Sequence, residues 1–192
     1  MEKGTRSKNK LASKSSQKPI AREFSAGGVV FKKIQNPNHK FQTLWLVRKQ
    51  AIFKDSTYAK NTWNLPKGWL DDEKEGVPGP LARGEKKAKE EDLQETAIKE
   101  VKEEGGVEAE IVKKIGTIRF FFTSTRGKVL KFVTFYLMEW VRDLPEGHDQ
   151  ETKEVAWLSY EEARKRLAYK SEKEILDKAK ELLDSGIQRN LV

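Results

Sequence analysis

Residues 91–107 read EDLQETAIKEVKEEGGV, and the fold follows from how this stretch is spaced. Leu93, Ala97 and Val101 recur every four residues with Ile98 beside them, which draws one apolar stripe along a helix. Gly105-Gly106 ends it, because glycine takes the left-handed closing turn without a Cβ penalty. The spacing predicts a helix over 91–104. Glu100, Glu103 and Glu104 stand at i, i+3 and i+4, so they share one side of that helix and flank the buried stripe. Carboxylates so crowded repel one another and are partly desolvated. Two readings fit: a solvated acidic face on a Lys/Glu-rich helix, or a cage of hard oxygen ligands whose conflict a divalent cation removes.

Upstream of this helix, 71–90 (DDEKEGVPGPLARGEKKAKE) has too few apolar residues to bury and reads as a long exposed loop, with a helical end at 85–90. Before it, 63–68 (WNLPKG) is a short extended piece ending in a turn, and 50–62 is an irregular loop. Residues 24–34 (FSAGGVVFKKI) and 42–48 (QTLWLVR) read as two strands joined through Pro37 and Asn38, a hairpin. Downstream, 109–122 and 128–142 are long strands about the turn Thr125-Arg126-Gly127, and 154–158 is a short one. Ser159 with Glu162 forms a capping box for a helix at 160–168, and a last helix spans 172–184. Strands and helices interleave in one α+β domain.

The chain has 192 residues, 36% hydrophobic and 35% charged, which suits one domain with a modest core. The absence of cysteine excludes disulfides, thiolate catalysis and Cys-ligated zinc. With only His39 and His148, a metal must be held by oxygen, which points to Mg²⁺ or Mn²⁺. The net charge of +8 is concentrated: residues 1–22 carry seven Lys or Arg against one acid, Glu2. That segment is expected to be a disordered basic tail, with the folded domain at 23–192. Its charge suits RNA or another anionic surface, although a solvated tail without a partner fits as well. No apolar run approaches the roughly 18 residues that span a bilayer, and the N-terminus lacks the apolar core of a secretory signal. A cytoplasmic protein, monomer or homodimer, with no membrane partner is the expectation.

The wider pattern decides between the two readings of the acidic face. Glu91, seven residues, then KEVKEEGGV at 99–107 resembles the signature of the Nudix hydrolases: Gly, five residues, Glu, seven residues, Arg-Glu-aliphatic-x-Glu-Glu-x-Gly-aliphatic. SAGGVVF at 25–31 resembles that family's first strand, and EVAWLSYEEA at 154–163 its closing strand and helix. The resemblance implies a three-layer α/β/α sandwich with a mixed sheet. It also implies metal held by Glu100, Glu103, Glu104 and the carbonyl of Gly68, and hydrolysis of a nucleoside diphosphate linked to another group. Glu104 and Glu151, an acid six residues before Trp157, are the two candidate bases. Two departures stand out. Gly68 and Glu91 are separated by 22 residues where the family has five, which enlarges the loop at 71–90. The signature Arg is Lys99, whose family role is to pair with the first Glu, here Glu91; a lysine does so as a point charge without the bidentate fork.

The Pro-Lys-Gly at 66–68, where nucleotide-sanitising members have Pro-Gly-Gly, resembles the branch that cleaves diadenosine and diphosphoinositol polyphosphates, as do Lys131–Trp140 and EVAWLSYEEARKRLAY. The expected substrate is a nucleotide with a polyphosphate chain, foremost a dinucleoside polyphosphate. An RNA 5′-end pyrophosphohydrolase, another nucleoside diphosphate-X hydrolase and a non-catalytic nucleotide-binding module are the rivals. Lys67 and Arg48 are candidate phosphate contacts, with Lys49 beside them. Tyr58 or Phe122 is a candidate base-stacking residue, and His148, in a polar loop, is assigned no catalytic role.

Overall fold

A computed structural model describes residues 20–35, 39–52, 62–74, 77–124 and 127–186. Its organising element is a seven-stranded mixed sheet. The central strand β1 (Ala21–Gln35) runs parallel to β8 (Gly127–Asp143) on one side. On the other it lies antiparallel to β2 (Phe41–Gln50) and to the short β4 (Lys67–Trp69). The edges are β7 (Val107–Ser124), antiparallel to β8, and the short β3 (Trp63–Asn64) and β9 (Thr152–Leu158), both antiparallel to β2. Ala21 and Arg22 belong to β1, so the strand begins two residues inside the span assigned to the tail; residues 1–19 lie outside the described residues.

Strand side chains alternate between faces, and each face has found a helical cover. Val29, Phe31, Trp45, Val47, Val133, Phe135 and Leu137 pack on Ala163 of α2 (Tyr160–Arg166) and on Ile175, Leu176 and Ala179 of α3 (Lys170–Asp184). On the other face Ala26, with Val30, Leu46, Tyr136 and Met138 one residue away from those just named, packs on Ala97 and Val101 of α1 (Glu90–Gly105). The result is the expected α/β/α sandwich. The stripe read from 91–107 is the face that α1 buries, and Gly106 closes the helix with φ 65 and its N–H on the Lys102 carbonyl.

The loop at 71–90 differs from expectation. It is folded rather than simply exposed, and residues 85–89, expected to be helical, lie outside α1, which begins at Glu90. β5 (Asp72–Lys74) and β6 (Val77–Pro78) pair, and Ala82 is fully buried. The Asp71 carboxylate accepts the N–H groups of Leu81 and Ala82, both at 2.8 Å, and Phe24 N–H donates to the Ala82 carbonyl at 2.8 Å. Satisfied backbone polar groups, together with buried Ala82, hold this segment against the start of β1.

Candidate active site

The Pro66-Lys67-Gly68 turn and the last two turns of α1 meet at the end of the sheet around a cavity of about 360 Å³. Into it the fold brings Arg48, Lys67, Gly68, Glu100, Glu103, Glu104 and Glu151, all expected from the sequence. Tyr58 lies outside the described residues. Phe122 is on β7 and His148 is an exposed loop residue; neither lines the cavity.

The three helix acids are in different situations. Glu104 is 2% exposed; its Oε1 forms an ion pair with Arg48, and its Oε2 accepts the Lys67 backbone N–H at 2.6 Å. Glu103 is exposed, 3.5 Å from the Lys99 ammonium. Glu100 is buried against Gly68, where a Cβ would overlap both of its carboxylate oxygens. It makes no hydrogen bond or ion pair among the described residues. Burial, with Glu103 and Glu151 adding like charge, pushes its carboxyl up to about 7, against the pull of Lys99 and Lys67. Among the described residues no three acidic or histidine side chains converge on one point. The donors are nevertheless hard oxygens, and a buried carboxylate without a partner among the described residues is the group that gains most from a divalent cation.

The connection from β8 to β9 is tied to the helix end. Asp149 N–H donates to the Glu103 carbonyl at 2.7 Å and Thr152 Oγ1 to the Glu104 carbonyl at 2.9 Å, satisfying carbonyls that α1 leaves open. Arg48 reaches across to the Glu151 carbonyl at 3.1 Å. Burial lowers the pKa of Arg48, with Glu151 and Asp149 opposing it.

The expected Lys99–Glu91 brace is absent. Both residues are in the same helix eight positions apart, about 12 Å along the axis, so Lys99 pairs with Glu103 one turn away. Glu90 does the bracing instead: it accepts Tyr136 OH at 2.8 Å and the Lys114 ammonium at 2.6 Å.

Sequence reasoning did not single out Trp69 and Lys131, which also line the cavity. The Lys131 ammonium sits 5.3 Å from the centre of the Trp69 ring, and Trp69 Nε1 donates to buried Glu23 at 3.1 Å. Burial and then the Lys67 charge bring Lys131 down to about 8. The hints in the sequence were the position of Trp69 directly after Pro-Lys-Gly and of Lys131 at the head of the segment Lys131–Trp140.

A match to the NUDIX domain covers residues 26–179. The chain belongs to the Nudix family, and residues 26–179 are its NUDIX domain. It is 30% identical over 162 residues to MutT4 of Mycobacterium tuberculosis, an overlap of 84% of this chain and 56% of that protein. The chain thus spans little more than half the length of that relative. Solved structures that share the fold include the following two. A NUDIX hydrolase from Nitrosomonas europaea has a TM-score of 0.55 at 15% identity, covering 88% of this chain and 93% of that one. The Ap4A hydrolase of C. elegans, in a binary complex, has a TM-score of 0.52 at 16% identity, covering 85% and 99%. No helix among the described residues is long and apolar enough to cross a membrane.

Proposed function

We propose that this cavity hydrolyses a diphosphate linkage in a nucleoside polyphosphate, with a dinucleoside polyphosphate as the substrate that fits best. The observation that carries the reading is the interleaving of charge: Arg48, Lys67 and Lys131 line the same 360 Å³ as Glu100, Glu103 and Glu104. A cavity with cations alone would bind an anion, and one with acids alone would bind a metal. One with both suits a phosphate chain and a divalent cation together.

Glu100, Glu103, Glu104 and the Gly68 carbonyl are the residues that would hold Mg²⁺ or Mn²⁺, which supplies neutralisation of phosphate charge and acidification of a bound water. Arg48, Lys67 and Lys131 grip the phosphate chain. Arg48 Nε is buried without a partner, so its pairing to Glu104 leaves a donor unsatisfied that a phosphate oxygen can take after a small rotation. Of the two candidate bases, Glu151 is favoured: it is an exposed residue that lines the cavity, whereas Glu104 is 2% exposed.

The dinucleoside preference rests on Phe120. It lies directly opposite Lys131 in the β7–β8 ladder, so the two side chains leave the same face, and it is 38% exposed. An aromatic ring beside a phosphate-binding lysine offers a stacking surface for a base. The C. elegans relative in the structural comparison is an Ap4A hydrolase, in line with this choice.

The test is a hydrolysis panel with Mg²⁺: diadenosine polyphosphates, capped and triphosphorylated RNA, ADP-ribose and oxidised nucleoside triphosphates. Diadenosine polyphosphates should turn over with the highest kcat/KM, and Glu100→Gln should abolish turnover. Preference for RNA would replace the substrate assignment; no product from any member would make this a binding module.

A further inference from the structure

Three cations in one cavity repel one another, and something must hold them together. Lys67 is gripped from both helical layers. Its backbone N–H donates to Glu104 on α1, and its ammonium lies 3.6 Å from Oε1 of Glu172, in the first turn of α3 on the opposite face of the sheet. Glu172 is 2% exposed, and its other oxygen accepts the Leu65 N–H at 3.0 Å. A neutral amide would satisfy Leu65 equally well. A full charge buried this deeply is costly unless a counter-charge uses it, and among the described residues Lys67 is its only ion-pair partner.

We propose that Glu172 is a positioning residue: from behind the sheet it fixes the Lys67 ammonium beside Arg48 and Lys131, building a preorganised seat for a phosphate chain. This rests on the reading of the cavity as a phosphate-chain site. Glu172 meets Lys67 from the α3 side, while Lys67 also lines the cavity, so the ammonium is anchored without being covered. Preorganisation of this kind lowers the cost of ordering the site when the ligand arrives.

The experiment is a double-mutant cycle read by calorimetric binding of inorganic tripolyphosphate and by steady-state kinetics on the substrate found in the panel. Glu172→Gln keeps an oxygen for Leu65 N–H and removes only the charge. It should weaken tripolyphosphate binding about tenfold, ~1.4 kcal/mol, and raise KM to match with kcat within about twofold. Lys67→Met should do the same, and the double variant should be no worse than Lys67→Met alone. Glu174→Gln, which removes a surface pair with Lys170 on the same helix, should change nothing. Wild-type binding by Glu172→Gln, or a loss that persists in the Lys67→Met background, overturns the proposal. If Glu172→Gln does not fold, the same cycle is run with Glu172→Asp. Tripolyphosphate binding needs no turnover: a protein that hydrolyses nothing yet shows the coupling keeps this inference and sinks the hydrolase reading.

Discussion

Glu100→Gln should make the protein more stable at pH 8 while abolishing hydrolysis. Glu100 is buried beside Gly68 with its carboxyl raised from 4.5 to about 7, burial being the main cause. At 1.36 kcal/mol for each pH unit, that rise corresponds to roughly 3 kcal/mol of cost for carrying the charged form in the folded state. The folded protein holds this proton more tightly than the unfolded chain. The cost is therefore absent below pH 4.5, grows as pH rises, and is complete above about 7. Glutamine keeps the shape and never ionises, so its stability should lack this slope. Unfolding followed by calorimetry from pH 5 to 8, in chelator, should place the variant's Tm at most roughly 6–12 °C above wild type at pH 8. The gap should shrink toward zero near pH 5. Added Mn²⁺ should raise the wild-type Tm at pH 8 more than that of Glu100→Gln, which keeps Glu103 and Glu104 but lacks the carboxylate whose proton the cation replaces. Equal Tm values across this range, or a variant less stable than wild type at pH 8, would refute the argument that Glu100 is a desolvated acid awaiting a cation.

Gly68→Ala puts a methyl into the Glu100 carboxylate and should displace it; hydrolysis should fall about 100-fold, as an ångström of misplacement suffices for that, with the far-ultraviolet dichroism of wild type. Arg48→Met leaves Glu104 buried with its counter-ion gone and should lose roughly 3–5 kcal/mol in urea unfolding; adding Glu104→Met should recover most of it, and an unrecovered double variant would mean that packing, not charge, was lost. Tyr136→Phe removes the hydroxyl that braces Glu90. It should cost about 1 kcal/mol and leave kcat and KM within about twofold of wild type; a large kinetic effect would mean that α1 is positioned through this contact.

Whatever is periodic or local along the chain was readable from it. The stripe Leu93, Ala97, Val101 located α1, Ser159 and Glu162 located α2, and the signature around 99–107 located the acids, because helix geometry fixes which neighbours meet. What joins distant segments was not readable. Leu65 and Glu172 are 107 positions apart, and the resemblance of Lys131–Trp140 to a branch of the family did not say which of its side chains reaches the cavity. The segment 71–90 misled for a different reason: counting apolar residues says nothing about Asp71 accepting two backbone N–H groups or Ala82 joining the end of β1. Glu91 misled because it lies in the same helix as Lys99, eight positions away, so that Lys99 meets Glu103 one turn on instead.

The charges of the site are largely spent on one another: Glu104 on Arg48, Glu103 on Lys99, Glu172 on Lys67. Glu100 stands apart, its carboxyl near neutrality and unpaired among the described residues. A phosphate chain that draws Arg48 away strips Glu104 of its counter-ion, and a divalent cation that claims Glu104 strips Arg48 of its own. Each ligand alone leaves a buried charge exposed to desolvation, whereas the two together replace every lost partner. Cation and polyanion should therefore strengthen each other's binding, as linkage requires of two ligands that share one set of ion pairs. On this account, the acids and bases of the cavity belong to a single exchange rather than to separate metal and phosphate sites.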